Sequence, residues 1–507
     1  MRALPLTPTL AEFRLLAAHG NLVPVYAEMI ADAETPVSVF QKLDNGRHTF
    51  LLESVEQTDQ TGRFSFVGTD PRWILESRGR TMRLTEEGKT REWETEHDVL
   101  HELEHLMARY RAASPESSRA EPSRFTGGAV GYLSFDSIRF LEPTVGLPEG
   151  EGLGLPDACF LLAETVVIFD HRTRRLRLLT NALIENDKVD AAYTRATAQL
   201  AALAANLEKP GNLPPLFTDN SAAPIVPACN TTRAEYEGMV SAAQEYIRAG
   251  DIFQIVPSQR FETAYSGDPL TLYRTLRYVN PSPYMFCLQF AGQFALVGSS
   301  PEVHVRATAG KVELRPIAGT RRRGADESED AKNAEELLAD PKERAEHLML
   351  VDLARNDVGR IAEYGSVVVS DFMTIERYSH VMHIVSHVTG TLRADCDAYD
   401  VMRATFPAGT VSGSPKVRAM QILAELEKNR RGVYGGAVGY FGFDGDCDSC
   451  IALRTVILQG GKAYVQAGAG VVADSTPEGE YHETVNKAMG MMAAIARARA
   501  AVEARQC

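Results

Sequence analysis

Gly127-Gly-Ala-Val-Gly-Tyr-Leu-Ser-Phe-Asp136 returns in the second half of the chain as Gly435-Gly-Ala-Val-Gly-Tyr-Phe-Gly-Phe-Asp444, with eight of ten positions identical. The sequences on either side do not repeat at the fixed period of a solenoid. Neither copy contains the G-x-G-x-x-G pattern of a dinucleotide-binding turn. Both copies look like glycine-rich strands. We therefore predict two corresponding strands in two related halves of one β-rich architecture.

Outward from the repeat, the first half of the chain has the patterns of strands and helices. Thr49–Val55 and Cys159–Asp170 are short apolar runs, and each is predicted to be one strand. Residues 189–207 are rich in alanine and predict a helix. Residues 208–227 hold five prolines and little hydrophobic periodicity, which predicts a linker.

The second half alternates between helix and strand patterns. Serine is a good N-cap and proline a good first helical residue, so Ser414-Pro415 predicts the start of a helix, with Gly432 as its end. A break is expected at Asp340-Pro341 within a long helical stretch. The other predicted elements are helices at 235–249, ended by Gly250, at 330–360 and at 480–503, and strands at 294–297, 303–306 and 312–314.

The composition limits the classes of protein to which the chain can belong. The 507 residues carry a net charge of −14, which argues against nucleic acid as the main partner because phosphate binding needs a basic surface. No run of about 18 apolar residues occurs, so no membrane span is expected. Residues 1–20 are interrupted by prolines and charges and do not resemble a signal peptide.

Cysteine usage points to the compartment. The seven cysteines are scattered, which fits a reducing environment without a disulfide framework, and we predict a cytoplasmic protein. Cys447 and Cys450 form a lone C-x-x-C without a second pair at zinc-ligand spacing. We interpret this pair as structural.

Two acidic pairs are the most informative chemical feature. Glu343 and Glu346 are three residues apart on one predicted helix, and Glu480 and Glu483 are three apart at the start of another. Residues i and i+3 share a helix face, so four carboxylates converge if the two faces meet. Such a cluster needs a cation, and oxygen ligands favour Mg²⁺ over zinc. The alternative is two solvated helix faces, which the spacing alone favours because E-x-x-E is common.

Two glycine-rich segments and three side chains are further candidates. Gly409–Lys416 leads into a predicted helix and could hold an anion, although it is not a Walker A loop. Gln466–Gly470 would let backbone approach a ligand closely, and the alternative for both segments is a tight turn. His383, in an apolar strand pattern, is either a core residue or a general base. Arg454, expected to be buried in a strand, needs a carboxylate partner, and Glu302 is a possible acid.

Seven segments follow one another along the chain: Asp251–Ser258, Gly298–Glu302, Pro316–Thr320, Asp340–Asp357, Gly409–Lys416, Gly435–Tyr440 and Gln466–Gly470. In this order they resemble the chorismate-utilising enzymes, and the likeness runs from about residue 40 to residue 495. Joint occurrence makes it highly specific. The resemblance implies an α/β (α+β) fold, a two-layered, largely antiparallel β-sandwich with helices on the outside and chorismate deep between the layers.

Two positions favour one branch of this family. Enzymes that make 4-amino-4-deoxychorismate often carry lysine where this chain has Ala318. Enzymes that add water carry a lysine base where this chain has Gln254, and a neutral amide cannot deprotonate water, which fits ammonia as the nucleophile. Both positions favour the large subunits (component I) of anthranilate synthases. The alternative is 4-amino-4-deoxychorismate synthase or another chorismate-utilising enzyme. Ser414 and Gln259 replace the alanine and arginine frequent in the family, where no chemical role is expected.

The resemblance also implies an activity and its residues. Chorismate and ammonia would give anthranilate and pyruvate, the first step of tryptophan biosynthesis, with Mg²⁺ as the cofactor. Glu302 would protonate the leaving hydroxyl, His383 would remove the C2 proton, and Gln254 would be the third catalytic residue. The metal ligands would be Glu346 and Glu483, supported by Glu343 and Glu480. The substrate-binding residues would be Gly319, Thr320, Thr410, Tyr434, Arg454, Gly468, Ala469 and Gly470.

A feedback site is implied in the same way. Leu51–Ser54 together with Asn280–Phe286 resembles the tryptophan site of the family, and ordinary strand and turn residues are the alternative. Residues 20–207 would then be the regulatory N-terminal region and residues 228–495 the catalytic, chorismate-binding region. The tryptophan-binding residues would be Glu53, Ser54, Asn280, Pro283, Tyr284 and Met285.

Partners follow from the same resemblance. No Cys-His-Glu segment typical of a glutamine amidotransferase is found in the sequence, so a separate glutaminase subunit would deliver ammonia. The expected assembly is a heterotetramer of two large and two small subunits, with L-tryptophan as inhibitor. A non-catalytic tryptophan-binding regulator is a remote alternative, because it would be expected to have lost the acidic pairs.

Overall fold

Two large antiparallel β-sheets lie face to face, and helices cover their outer surfaces. The computed structural model describes residues 4–54, 62–113, 125–186, 188–217, 222–378 and 381–504. The predicted α/β (α+β) sandwich of antiparallel sheets with outer helices is confirmed.

The helices begin and end at recognisable capping residues. Thr232 and Glu235 form a capping box at the start of α6, and Gly250 ends that helix with a left-handed φ of 83°. Asp340 accepts hydrogen bonds from the first backbone N–H groups of α9, which explains the predicted break at Asp340-Pro341. The helices are α1 (Leu10–Leu16), α2 (Pro36–Leu43), α3 (Val99–Met107), α4 (Ile138–Leu141), α5 (Val189–Leu207), α6 (Arg233–Ala249), α7 (Pro269–Val279), α8 (Glu327–Ala339), α9 (Pro341–Gly359), α10 (Ala398–Thr405), α11 (Lys416–Leu426) and α12 (Pro477–Glu503).

The strands alternate in burial wherever one face is turned to a core. They are β1 (Leu6–Thr7), β2 (Leu22–Ile30), β3 (His48–Glu53), β4 (Phe64–Thr69), β5 (Trp73–Arg78), β6 (Thr81–Glu86), β7 (Lys89–Glu94), β8 (Gly128–Leu133), β9 (Ala158–Ala163), β10 (Thr165–Asp170), β11 (Arg175–Leu183), β12 (Ala228–Cys229), β13 (Gln254–Ile255), β14 (Ser258–Ala264), β15 (Tyr284–Phe290), β16 (Phe294–Ser300), β17 (Val303–Thr308), β18 (Lys311–Leu314), β19 (Ile317–Arg322), β20 (Val368–Arg377), β21 (Val381–Thr391), β22 (Gly413–Ser414), β23 (Ala437–Gly442), β24 (Cys447–Ile451), β25 (Thr455–Gln459) and β26 (Lys462–Gly468).

Each sheet joins strands from both halves of the chain. The first sheet has the order β1-β2-β11-β10-β4-β3-β15-β16-β25-β26-β14-β12. The second has the order β19-β21-β18-β17-β24-β23-β8-β9-β5-β6-β7, with β20 also paired to β21, and β13 and β22 form a small separate pair. The described residues of the predicted linker at 208–227 contain no helix or strand.

The repeated decapeptide lies at the centre of the second sheet. Its two copies form β8 and β23, which pair antiparallel with Gly131 opposite Gly439. A Cβ atom at Gly131 would lie 2.0 Å from the Cys159 carbonyl oxygen, and one at Gly439 would lie 2.1 Å from that of Asp448. Both glycines are therefore needed because the next strand outward approaches so closely. The prediction that both copies form strands is confirmed, and the two strands are direct neighbours in one sheet.

The three largest hydrophobic cores of the described residues follow from the layering, and a fourth, small one lies around Leu337 and Met382. One lies between the sheets, with Phe50, Tyr132 and Phe286 among its members. The second lies between the first sheet and its helices, and the third between the second sheet and its helices. Cys447 belongs to the third core and Cys450 to the first, so their side chains point to opposite faces of β24.

Three details of the predicted elements were wrong. Cys159–Asp170 is not one strand, because the chain passes at Glu164 from β9 in the second sheet to β10 in the first. Ser414 does not cap α11, since its backbone pairs with Gln254 and the helix begins two residues later. That helix ends at Leu426 rather than at Gly432. No helix in the described part of the chain is long and apolar enough to span a membrane.

Candidate active site

Glu302 lies where the chain passes from β16 in the first sheet to β17 in the second. Its carbonyl oxygen accepts a hydrogen bond of 3.1 Å from the Ile451 N–H, which holds this crossing in place. Burial raises the pKa of Glu302 to about 8, and the Thr410 hydroxyl and the charges of Lys487 and Arg454 oppose that rise only in part. Glu302 is therefore protonated at neutral pH and can donate a proton.

His383 lies on β21, opposite Thr320 of β19. Its Nδ1 is 3.0 Å from the Gly319 carbonyl oxygen and 3.1 Å from Thr320 Oγ1. Because a carbonyl can only accept, Nδ1 carries the proton and Nε2 keeps a lone pair. Burial lowers the pKa of His383, the Gly319 carbonyl raises it, and the charge of Arg454 lowers it again. The imidazole is therefore neutral and can accept a proton at Nε2.

Gln254 connects three segments of the site. It is buried, its backbone pairs with Ser414, and its side-chain Nε2 donates a hydrogen bond of 3.1 Å to Glu346 Oε1. A Cβ atom at Gly470 would lie only 2.8 Å from that amide nitrogen. Glycine at position 470 therefore lets the segment after β26 lie against Gln254.

The acidic pairs of α9 and α12 lie within electrostatic reach of each other. Burial raises the pKa of Glu346, and the negative charges of Glu343 and Glu483 also raise it, whereas the Gln254 hydrogen bond lowers it. Burial also raises the pKa of Glu480, again with a contribution from the charge of Glu483. The charge of Glu483 thus disfavours the ionised form of Glu346, from which it is 137 residues away in sequence, and this is the situation that a cation relieves.

The donor set fits magnesium in an open site. Among the described residues, no group of three or more His, Cys, Asp or Glu side chains is placed so as to hold a metal ion by itself. Mg²⁺ usually binds through one or two carboxylates and completes its octahedron with water and substrate, so a closed protein cage is not required. Carboxylate oxygens, which α9 and α12 both supply here, are the hard ligands that this ion prefers.

Lys487 is a site residue that the sequence analysis missed. Its Nζ lies 2.7 Å from Glu483 Oε1 and donates a hydrogen bond of 3.1 Å to the Gly468 carbonyl oxygen. It ties the start of α12 to the segment after β26, and its charge reaches Glu302. The available signal was its i+4 spacing from Glu483 on a predicted helix.

Tyr434 and the glycine-rich segment after β26 are in contact. Burial raises the pKa of Tyr434 to about 12, while a hydrogen bond from the Gly468 N–H lowers it. A Cβ atom at Gly468 would lie 2.8 Å from the Tyr434 hydroxyl oxygen. Ala469 is buried, and its N–H donates to the Pro257 carbonyl oxygen at 3.2 Å. The Tyr434 hydroxyl and the Pro257 carbonyl therefore hold this segment in place, and they leave no room for a side chain at Gly468.

Arg454 is placed differently from the prediction. It is exposed rather than buried, and it lies between β24 and β25 with a left-handed φ of 45°. The turn between the two strands, rather than an apolar strand, sets its position. Its Nη1 lies 3.5 Å from Asn280 Oδ1, and its charge acts on both Glu302 and His383. An exposed guanidinium beside these two groups can bind a carboxylate.

A buried ion pair supports the same segments from behind, and the sequence analysis did not identify it. Arg431 and Glu427 are 2% and 6% exposed and form two hydrogen bonds of 2.8 and 2.7 Å. The guanidinium also donates to the carbonyl oxygens of Val411 and Val256, both at 2.6 Å. Glu427 accepts from the N–H and the hydroxyl of Ser258. The pair thus connects Val411, which follows Thr410, with Val256, which lies two residues after Gln254.

The last residue of the first decapeptide copy belongs to this network. Asp136 accepts backbone hydrogen bonds from Arg431 at 3.3 Å and from Gly432 at 2.8 Å. Burial raises its pKa to about 6, against the effect of those bonds. The Arg431 guanidinium lies 4.4 Å from the Phe135 ring centroid and 5.6 Å from that of Tyr434. The repeated Phe-Asp was the available sequence signal.

The two segments predicted to bind tryptophan are neighbours in the structure. β3 pairs with β15, which places Glu53 opposite Met285. The Glu53 carboxylate accepts a hydrogen bond from the Tyr273 hydroxyl and lies 3.4 Å from the Arg277 guanidinium, so its side chain faces α7 rather than the space between the sheets. Ser54 Oγ is buried and has no hydrogen-bonding partner among the described residues. An unsatisfied buried hydroxyl is a natural contact for a ligand.

The other predicted tryptophan residues lie at the start of β15. The Tyr284 hydroxyl donates to Asp448 at 2.7 Å, and Pro283 just before it is half-buried. Asn280 Nδ2 donates to Ser299 Oγ at 3.2 Å, while its side-chain oxygen faces Arg454. Asn280 therefore stands between the two groups of predicted site residues.

Comparison with known proteins identifies the family of the chain. The chorismate binding enzyme family matches residues 49–493. A protein of Aquifex aeolicus named anthranilate synthase component 1 is 46% identical over 96% of this chain and 97% of its own, and one of Synechocystis with the same name is 44% identical over 97% and 99%.

Solved structures show the same fold. The crystal structure of anthranilate synthase component I from Streptococcus pneumoniae superposes with a TM-score of 0.74 at 36% identity, covering 92% of this chain and 99% of that one. The menaquinone-specific isochorismate synthase of Escherichia coli superposes with a TM-score of 0.69 at 18% identity, over 96% and 99%, which concerns the fold alone. The chain therefore belongs to the chorismate binding enzyme family and, within it, to the group of anthranilate synthase component 1 proteins.

Proposed function

We propose that this chain converts chorismate and ammonia into anthranilate and pyruvate, as the large component of an anthranilate synthase. The observation that carries the proposal is a protonated carboxyl, Glu302, and a neutral imidazole, His383, which both experience the charge of Arg454. An acid for a leaving hydroxyl and a base for a ring proton are the two proton-transfer groups that this reaction needs. The names of relatives 42–46% identical over nearly the whole chain support the same activity.

Substrate binding would use the positive groups and backbone of the cleft. Arg454 and Tyr434 would hold the enolpyruvyl carboxylate, because a guanidinium and a phenol hydroxyl both donate to carboxylate oxygens. Gly319, Thr320 and Thr410 would line the ring, together with the backbone of residues 468–470. The close contacts of Gly468 with Tyr434 and of Gly470 with Gln254 support this, since they place this backbone beside two other predicted site residues.

The acidic pairs would be the cofactor site. Mg²⁺, held by Glu346 and Glu483 with Glu343 and Glu480 in support, would bind the ring carboxylate and stabilise the negative charge that develops on it. Gln254 orients Glu346 through its amide N–H. As a neutral side chain, Gln254 does not deprotonate water, which favours ammonia as the nucleophile.

Two proton transfers would complete the reaction. Ammonia forms a bond to C2 as the C4 hydroxyl leaves, and Glu302 donates the proton with which that hydroxyl departs as water. The new ammonium group at C2 releases one proton to solvent. Nε2 of His383 then takes the C2 proton. The electron pair of that C–H bond completes the aromatic ring as the bond from C3 to the enolpyruvyl oxygen breaks, and the departing enolate takes up a proton on carbon to become pyruvate.

The second candidate is 4-amino-4-deoxychorismate synthase. Ala318 on β19, just before Gly319, speaks against it, because lysine is frequent there in those enzymes. The two candidates differ in whether pyruvate is released and an aromatic ring forms, so product analysis separates them.

Partners and regulation belong to the same proposal. A separate glutaminase subunit would supply ammonia in a cytoplasmic heterotetramer, which the component 1 names of the relatives support by implying a further component. L-Tryptophan would bind near Ser54 and Tyr284, for which the unsatisfied Ser54 hydroxyl is the structural support. Asn280, between that pocket and Arg454, would pass the signal to the catalytic site.

The deciding experiment uses the purified chain. Incubation with chorismate, Mg²⁺ and an ammonium salt at alkaline pH should produce anthranilate fluorescence, and mass spectrometry should find pyruvate in equal amount. A 4-amino-4-deoxychorismate product, or turnover that is unaffected by removal of Mg²⁺, would contradict the proposal.

A further inference from the structure

A cavity of about 560 Å³ opens on the helix-covered side of the first sheet. Its walls are the start of α2, the turn between β10 and β11, the C-terminal parts of α7 and α12, and residues 213–217 of the predicted linker. The volume lies in the range typical of small-molecule sites, about 300–1,000 Å³. No residue assigned above to chorismate, metal or tryptophan lines it.

The charge of the lining contrasts with that of the chain. The whole chain has a net charge of −14. Two carboxylates line the cavity, Glu34 and Asp170, and each is already ion-paired with a cation outside the lining, namely Lys42 and Arg63. The guanidinium groups that line it are those of Arg174, Arg274, Arg277 and Arg497. Such a lining attracts anions.

The walls are held in place by contacts of the same arginines. Arg274 donates a hydrogen bond of 3.0 Å to the Pro214 carbonyl oxygen, which fastens the linker segment to α7. The Arg497 guanidinium of α12 lies 5.8 Å from the Tyr278 ring centroid. The cavity is therefore bounded by anchored segments.

Aromatic side chains are exposed in the same place. Phe217 is 85% exposed and Tyr278 is 60% exposed, and both line the cavity together with Phe169. Exposed aromatic rings next to guanidinium groups form a surface on which a flat ring can stack while its acidic group is bound.

We propose that this cavity is a second ligand site, which binds a small aromatic carboxylate. The carboxylate meets Arg174 and Arg277 at the rim, and the ring lies against Tyr278 and Phe217. An aromatic phosphate ester also carries a ring and a negative charge. The experiment below therefore compares an aromatic carboxylate with an aromatic phosphate.

Occupation of the site would affect the C-terminal end of β3 through Arg277. Arg277 is shared between the cavity and Glu53, whose carboxylate lies 3.4 Å away. A bound carboxylate competes with Glu53 for this guanidinium, and Glu53 directly precedes Ser54. The effect on tryptophan binding rests on the proposed function, whereas binding of the ligand itself does not.

Calorimetric titration of the purified full chain tests the site, with benzoate, phenyl phosphate and inorganic phosphate as probes. Benzoate should bind with a dissociation constant on the order of 1 mM or lower. Inorganic phosphate, which has no ring, should bind more weakly. Arg174→Ala removes one charge-assisted hydrogen bond and should weaken benzoate binding by about tenfold or more. Tyr278→Ala should weaken benzoate but not inorganic phosphate.

The matched control is Arg172→Ala, on the same turn and exposed but outside the lining, and it should bind like the wild type. Equal benzoate affinity in wild type, Arg174→Ala and Tyr278→Ala would overturn the proposal, as would displacement of benzoate by chorismate. Stronger binding of phenyl phosphate than of benzoate would overturn the choice of a carboxylate. Anthranilate formation is measured in the same samples, so failure of the proposed function is seen separately.

Discussion

Replacing Glu302 by glutamine tests the acid assignment through stability as well as activity. The pKa of this carboxyl is about 8 in the folded protein against an ordinary value of 4.5. One pKa unit corresponds to about 1.4 kcal/mol. Ionising Glu302 in the folded protein therefore costs about 5 kcal/mol more than in the unfolded chain, as an upper value.

The sign of the pH dependence follows from this difference. Between pH 4.5 and about 8 the unfolded chain has lost this proton while the folded protein keeps it, so the free energy of unfolding falls as the pH rises. The protonated Glu302 makes its full contribution to the free energy of unfolding below pH 4.5, and this contribution is lost above about pH 8. Glutamine cannot ionise, so the Glu302→Gln variant should gain stability relative to wild type across this window, by up to about 5 kcal/mol.

Urea unfolding of wild type and variant at a series of pH values measures this difference. Glu92→Gln, at an exposed position of the edge strand β7, is the control and should show no comparable trend. The same substitution should lower kcat by about 10²–10⁴ with ammonia as the nucleophile. Wild-type kcat, expressed per free ammonia, should fall above about pH 8 as the acid loses its proton. A variant with full activity and a wild-type dependence of stability on pH would refute the assignment.

Four further substitutions test the rest of the site. His383→Ala should lower kcat by about 10²–10⁴ and let an aminated intermediate accumulate, as seen by chromatography of the quenched reaction, and an unchanged rate would remove His383 from the mechanism. Glu483→Gln should raise the Mg²⁺ concentration needed for half-maximal rate, and full activity at ordinary magnesium would speak against the acidic site. Arg431→Met leaves Glu427 buried without its partner and should cost about 3–5 kcal/mol in urea unfolding, whereas a loss below about 1 kcal/mol would mean that the pair is not buried in solution. Ser54→Ala should relieve inhibition by L-tryptophan at unchanged basal rate, and an inhibition curve identical to that of wild type would contradict that site.

Several elements were predictable because their signals are local. The capping box and the terminal glycine of α6 both lie next to that helix in sequence. The break between α8 and α9 is indicated by Asp340-Pro341. The strands near residues 294–314 were also found, since alternation along a strand needs no knowledge of its neighbours. The prediction of a single strand from Cys159 to Asp170 was wrong, because the passage of the chain from one sheet to the other has no signal in the local sequence.

The candidate site was predictable only in part. The acidic pairs at Glu346 and Glu483 were identified by spacing and family resemblance, and the structure brings them within electrostatic reach of each other. Arg454 was wrongly expected to be buried, because apolar neighbours along the chain do not reveal a left-handed turn. The Arg431–Glu427 pair was missed because its partners are backbone carbonyls, which any residue type supplies.

The amino-acid sequence by itself determined the two glycine-rich strands of a β-rich architecture, through the repeated decapeptide, and the set of chemical groups, through motifs whose order is visible without coordinates. Tertiary structure alone decided that the two copies pair at Gly131 and Gly439, that Glu53 faces α7, and that burial holds Glu302 protonated. The physical reason is that residue type and spacing are properties of the chain, whereas strand pairing, burial and pKa depend on atoms that lie far away in sequence and reach each other only through folding.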